Sequence, residues 1–312
     1  MFTNNTAKTG GAIYIAAGGD LSLSADYGNM IFYDNLNTND GSPKRNAITL
    51  DKGATIKLLA ASGDHKLCFY DPIVTTLPEQ APNGENTLTI NPDRESATPF
   101  TNYIGTVLFS GAHVNSTEST PNASTIYQKV VLGGGKLVLA DKASLSVVSF
   151  DQQSDSILLM DSGTSLSTTD NSHATPATVA AGAAAAAAVV MSTTAEASSA
   201  TSTTTTTASV TNQPNDNGSI SIKDLHINLG SLTQAGEGAK IDVKGSNGTI
   251  TITGHISLDD VSGNAYENHD LFNKNTVTLN LLSLSTKSES KITSNDLQLT
   301  PRGDADPQYG YQ

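Results

Sequence analysis

Six histidines, one cysteine and a set of scattered carboxylates are the residues of this chain with chemistry to offer. The histidines are His65, His113, His173, His226, His255 and His269, and no two of them stand at metal-ligand spacing on one element. The sequence contains no His-Glu-x-x-His, no Gly-x-Ser-x-Gly and no phosphate-binding loop. Cys68 is the sole cysteine, so neither an internal disulfide nor a zinc or iron–sulfur site can be built from it. Within "HKLCFYD" it reads as a buried structural thiol. Gly133-Gly134-Gly135 precedes the strand-like "KLVLA", whereas a phosphate cradle needs a helix N-terminus after its glycines, so the run reads as a turn. No metal and no cofactor are expected.

The carboxylates leave one catalytic alternative. Asp259-Asp260 follows a strand pattern, and Glu267 and Asp270 flank His269 in "YENHD". Glycoside hydrolysis uses two carboxylates across a cleft, usually with aromatic platforms for the sugar rings. This chain has no Trp, and its 9 Tyr are dispersed. The expectation is therefore a protein that is not an enzyme, with a carbohydrate-active β-helix lyase or hydrolase as the alternative and a purely structural stalk as a third reading. Arg302-Gly303-Asp304 is an integrin-type tripeptide, read first as a chance occurrence in a turn. Near the start, Phe2-x-x-Asn5 and Gly10-Gly11-Ala12-Ile13 are binding-motif candidates. A stacking role is taken first for them: Phe2 in a core, Asn5 in an amide ladder and the glycines at a corner.

The elements that would position these residues are strands. Hydrophobic residues make up 37% of the 312, and short apolar runs such as "ATIKLLA", "GTVLFSG", "GKLVLAD" and "GTITITGHISL" are bounded by Gly, Asn, Asp, Ser or Pro. No amphipathic helix is visible, so the class is all-β. Four corners of one kind recur: Gly53-Ala54-Thr55-Ile56, Lys142-Ala143-Ser144-Leu145, Gly163-Thr164-Ser165-Leu166 and Gly238-Ala239-Lys240-Ile241. The second and third are 21 residues apart, and the gap from the first to the second is close to four such steps. Strands and turns at this period predict a right-handed parallel β-helix with coils of roughly 20–25 residues. A low-complexity Ala/Thr/Ser stretch, about 168–218, breaks the pattern and is expected to be a flexible loop insertion. Its alanine tract from Val179 to Met191 is too short to span a membrane. A formal net charge of −13 argues against nucleic acid and anionic membrane surfaces as partners.

In order and combination, several stretches resemble the chlamydial polymorphic membrane proteins, which are autotransporters. "FTNN" followed by "GGAI" is similar to that family's paired Phe-x-x-Asn and Gly-Gly-Ala-[Ile/Leu/Val] repeats. "FYDPI", "TLTIN", "YIGTVLFSGAH", "VVLGGGKLVLADKASLSVVSF", "YENHDLFN" and "DPQYGYQ" look like the domain that follows the repeats. The resemblance implies a last passenger coil at 1–29 and the middle domain at 30–312. It further implies a piece cut from a longer chain, with neither signal peptide nor C-terminal barrel within it. The function implied is that of a surface-exposed passenger segment, an adhesin or adhesin scaffold in host-cell attachment, which also helps the passenger fold beside the barrel. The implied partners are a host-cell surface protein and other passengers of the family. The implied location is the bacterial surface at the outer membrane, with release outside the cell as a further fate.

Overall fold

The computed structural model describes residues 1–51, 53–76, 86–92, 103–112, 122–153, 155–169, 218–232, 236–245, 248–261 and 280–286, and the backbone of 296–299. Short strands follow one another with almost no helix, and the longer ones show the burial period of two that sequence alternation demands. Ala123–Leu132 is an example, with Ser124, Ile126, Gln128, Val130 and Leu132 buried and their neighbours facing outward. Among the described residues, twenty strands pair into one continuous sheet, parallel throughout, that winds over three faces.

The first face stacks Phe2–Thr3, Met30–Tyr33, Lys66–Phe69, Thr106–Ser110, Gly135–Ala140 and Ser156–Met160, then the C-terminal halves of Ser219–Asn228 and Thr249–Asp259, then Asp296–Leu299. The second face carries Ile13–Ile15, Ile48–Leu50, Ile73–Thr75, the N-terminal halves of Ala123–Leu132 and Ser144–Gln152, Ser165–Thr168, Ala239–Val243 and Leu282–Thr286. The third carries Asp20–Ala25, Thr55–Ala60, Thr87–Ile90 and the remaining halves of the four long strands. Because the chain visits the faces in the same order on every circuit, the architecture is a parallel β-helix. A small side sheet joins Thr6–Ala7 to Leu36–Asn37 and Leu36–Asn37, antiparallel, to Lys44–Arg45.

The core is a set of vertical columns. On the first face Phe2, Phe32, Phe69, Phe109, Leu139, Met160, Ile227 and Leu258 stand in register through eight coils. The third face has Leu21, Ile56, Leu88, Val130, Phe150, Ile220 and Ile250. The second has Ile13, Ile48 and Ile73, and above them Leu145, Leu166, Ile241 and Leu284. Between those two runs sits buried Ser124, whose hydroxyl accepts from the Ile73 N–H at 3.0 Å and donates to Asn122 Oδ1 at 3.1 Å. The one polar step in that column is thereby satisfied.

Three of the four sequence corners do form a column at the entrance to the second face: Ser144 pairs with Ser165 and Ser165 with Lys240. The corner at Gly53 opens a strand of the third face instead, since Thr55 pairs with Asp20. Its likeness to two of the others is conformational: Gly53, Lys142 and Gly163 have φ of 73°, 63° and 75°, a left-handed turn that Gly238 does not share. The expected coil length also needs correction. Successive residues of the first-face column are as little as 21 apart, from Leu139 to Met160, and as much as 67, from Met160 to Ile227. A coil is fixed by its three strands, and the turns between them are free in length. The proposed insertion at about 168–218 lies outside the described residues except at its ends. There the chain leaves and returns at adjoining points, for a Cβ on Gly218 would come within 2.9 Å of Thr168.

Among the described residues no helix is long and apolar enough to cross a membrane. The columns generate a stability prediction. Phe109→Ala, inside the stack, should lower the denaturant-derived stability by about 3–5 kcal/mol, whereas Thr89→Ala on the outer surface should change it by less than about 0.5 kcal/mol.

Candidate functional site

The motif residues at the N-terminal end are built into the stack. Phe2 heads a ladder of aromatic rings, with centroids 4.6 Å from Phe2 to Phe32, 5.0 Å from Phe32 to Phe69 and 5.2 Å from Phe69 to Phe109. The planes are near parallel, at 2°, 17° and 25°, because in-register parallel strands superpose equivalent side chains at the strand spacing. Phe2 is half-buried at the end of this stack, and Asn5 is exposed.

Asn5 begins a second ladder at the corner between the first and second faces. Its Nδ2 donates to Asn35 Oδ1 at 2.7 Å, and Asn35 Nδ2 donates to Asp71 Oδ2 at 2.9 Å. Asn35 Nδ2 also reaches the carbonyls of Phe2 and Tyr33, at 3.0 and 3.2 Å, and the Asn35 N–H donates to Asp71 Oδ2 at 2.8 Å. Asn122 repeats the device farther along, donating to the carbonyl of Phe69 at 2.8 Å. Each amide closes a sharp corner whose backbone groups would otherwise be buried without partners. Asp71 is the acidic end of the ladder. Burial pushes its pKa up, against the hydrogen bonds from Asn35 and Asp34 and the charge of Arg45, whose Nη1 is 4.0 Å away.

The glycine motif lies on the far side of the same corner. Gly10 has φ of 67°, and a Cβ there would stand 2.2 Å from the Ile13 carbonyl oxygen. A Cβ on Gly11 would stand 2.1 Å from the Asn46 carbonyl oxygen, and its N–H donates to Asn46 Oδ1 at 2.9 Å. Both positions exclude a side chain. Ala12 and Ile13 both donate their N–H to the Ala47 carbonyl, and Ile13 pairs with Ile48. Gly10–Ile13 thus sits on Arg45-Asn46-Ala47-Ile48 of the next coil.

That arrangement exposes what the sequence reading missed. Phe32-Tyr33-Asp34-Asn35 is itself a Phe-x-x-Asn unit, superposed residue for residue on Phe2–Asn5. The signal is present as "FYDN", at the end of the strand-like run "MIFYDN". The Gly-Gly at the following corner is replaced by Arg45-Asn46, which hides the repeat.

The other sequence candidates are dispersed. Arg302, Gly303 and Asp304 lie outside the described residues, as do Glu267, His269 and Asp270. Asp259 ends a first-face strand, 2.6 Å from His226. Cys68 is buried, and burial raises its thiol pKa, which fits an inert structural role. Gly133-Gly134-Gly135 makes the turn from the third face to the first. Among the described residues no group of three His, Cys, Asp or Glu side chains could hold a metal ion.

A polar corner ladder beside an aromatic core ladder, with Phe-x-x-Asn superposed on Phe-x-x-Asn in the first two coils, marks a stacked β-helical protein. The chain belongs to the chlamydial polymorphic membrane protein family, and the family model for the Chlamydia polymorphic membrane protein middle domain matches residues 135–312. Relatives include the probable outer membrane proteins pmp13 and pmp11 of Chlamydia pneumoniae, 33% and 30% identical over 100% and 99% of this chain and 28% of each relative. The probable outer membrane protein PmpI of Chlamydia trachomatis serovar D is 38% identical over 54% of this chain and 20% of its own length. The chain spans under a third of the length of these relatives. No solved structure matches it.

The ladder yields a pH-resolved prediction. Asn35→Ala removes the shared partner of Asn5, Phe2 and Asp71 and should cost about 2 kcal/mol at pH 7. Asp71 has a raised folded pKa, so acidification favours the folded chain as pH falls through that value, and the gain is complete below the unfolded carboxylate pKa. Losing the Asn35 amide pushes Asp71 higher still. The stability gap between variant and wild type, measured by urea unfolding, should therefore narrow between pH 7 and pH 4.

Proposed function

We propose that this chain is a passenger segment of an outer-membrane autotransporter and acts as an adhesin scaffold at the bacterial surface, its partner a host-cell surface protein. One observation carries the reading: the apolar columns keep register while the turns between strands vary freely. From Met160 to Ile227 the column advances by a single coil although the two residues lie 67 positions apart. A rod of this kind can carry turns of any length or chemistry at its edges without altering its core. The relatives' names, probable outer membrane proteins, support the location. In this reading the segment binds and presents, and the contact surface lies on its turns, because Phe2, Gly10 and Gly11 are engaged in stacking.

The experiment is saturable binding of the purified chain to host epithelial cells, competed by unlabelled excess. The Phe2→Ala/Asn5→Ala variant should bind within about twofold of wild type while its first coil loses stability. Binding that is not saturable would remove the adhesive role. Loss of binding by a variant that stays folded would move the contact onto the motif itself.

A further inference from the structure

We propose that His226 is an acid-tightened clasp, tying the strand Ser219–Asn228 to the strand Thr249–Asp259 of the next coil when its ring carries two protons. The side chain projects from the outer surface of the first face, between inward-facing Leu225 and Ile227. Its Nδ1 lies 2.6 Å from Asp259 Oδ2 and its Nε2 lies 3.1 Å from Asp224 Oδ1. Asp224 is on the same strand, and Asp259 is on the following coil, where it pairs with Asn228 while His226 pairs with Ser257. The contact to Asp259 therefore crosses between coils.

Proton inventory decides what this geometry requires. A neutral imidazole has one N–H and one lone pair, and an ionised carboxylate only accepts. With a carboxylate oxygen at each ring nitrogen, the neutral ring can satisfy one contact and must set a lone pair against the other. The imidazolium donates to both. The side chain is 15% exposed, so these contacts are partly shielded from water.

The surrounding groups favour the cation. On its own strand stand Lys223 and Asp224. The strand Ser156–Met160 sets uncharged Leu159 beside it, followed by Asp161, which accepts from Asn228 Nδ2 at 2.8 Å. The strand Thr249–Asp259 contributes His255, paired with Asp224, and Asp259, with Asp260 next in the chain. Asp296 pairs with His255 one coil farther on. Among the described residues, the carboxylates of Asp224, Asp161, Asp259 and Asp260 outnumber the single lysine, Lys223, named in this neighbourhood. Burial lowers the pKa of His226, but the hydrogen bonds and charges of Asp259 and Asp224 outweigh it, and the net direction is upward.

The sign follows. A folded-state pKa above the unfolded value near 6.5 means that the clasp stabilises fully below about pH 6.5 and releases as pH rises through the folded pKa. It also needs both carboxylates ionised, since only then do they simply accept from the ring.

Two measurements on the full chain test the proposal. NMR titration of the histidine ring signals, assigned with His226→Gln, should give His226 a pKa above about 6.5. Hydrogen exchange of peptides within 219–228 and 249–259, corrected for intrinsic rates, should show about threefold to tenfold greater protection at about pH 5.5 than at about pH 8, since one pKa unit is a factor of ten in the linked equilibrium. His226→Gln should flatten that dependence, and Asp259→Asn should lower the His226 pKa. A His226 pKa at or below 6.5, or a wild-type exchange profile in His226→Gln, would overturn it.

Discussion

In-register parallel pairing is the interaction on which everything else in this chain depends. When a strand pairs with its neighbour at a fixed register, each inward side chain rests on the inward side chain of the coil below. A slip by one residue would turn Phe69 outward and Cys68 inward, and it would do so for the whole strand. The reward for holding register is a narrow core that is nevertheless continuous, from Phe2 through Phe109 and Leu139 to Leu258 on one face. Apolar burial of that kind compensates for a composition poor in hydrophobic residues, because few positions per coil need be apolar so long as they coincide.

Corners are the complementary problem. Three faces require the backbone to turn sharply, and each turn leaves polar groups inside. The chain meets this with left-handed residues such as Lys142 and Gly163, and with side-chain amides that bridge coils, such as Asn35 and Asn122. Phe-x-x-Asn is the shortest expression of both needs, placing a core residue and a corner residue three positions apart. This is why the motif residues are committed to structure.

The strands, the class and the stacking roles of Phe2, Asn5 and the Gly10–Ile13 run were legible because alternation and corner residues are local signals. The period was less so. It is strict only where turns are minimal, as between Leu139 and Met160, and elsewhere inserted turns erase it. The Gly53 corner illustrates the ambiguity: its residues suit any left-handed turn, and nothing local says which face follows. The repeat at Phe32–Asn35 was legible in principle but masked by the loss of its Gly-Gly partner. The meeting of His226 with Asp259 could not be read at all, since the two lie 33 residues apart and are joined through coil geometry alone.

Register across the long turn between Ser165–Thr168 and Ser219–Asn228 is the sharpest test of this architecture. Asp151 and Ser221 face outward and pair directly, although they lie 70 positions apart. In a Cys68→Ser background, Asp151→Cys/Ser221→Cys should form a disulfide readily under mild oxidation, since paired Cα atoms lie within disulfide reach. Asp151→Cys/Ser219→Cys, displaced by two residues on the same face, should not. Efficient cross-linking of the displaced pair, or of neither, would contradict the stacked-coil account.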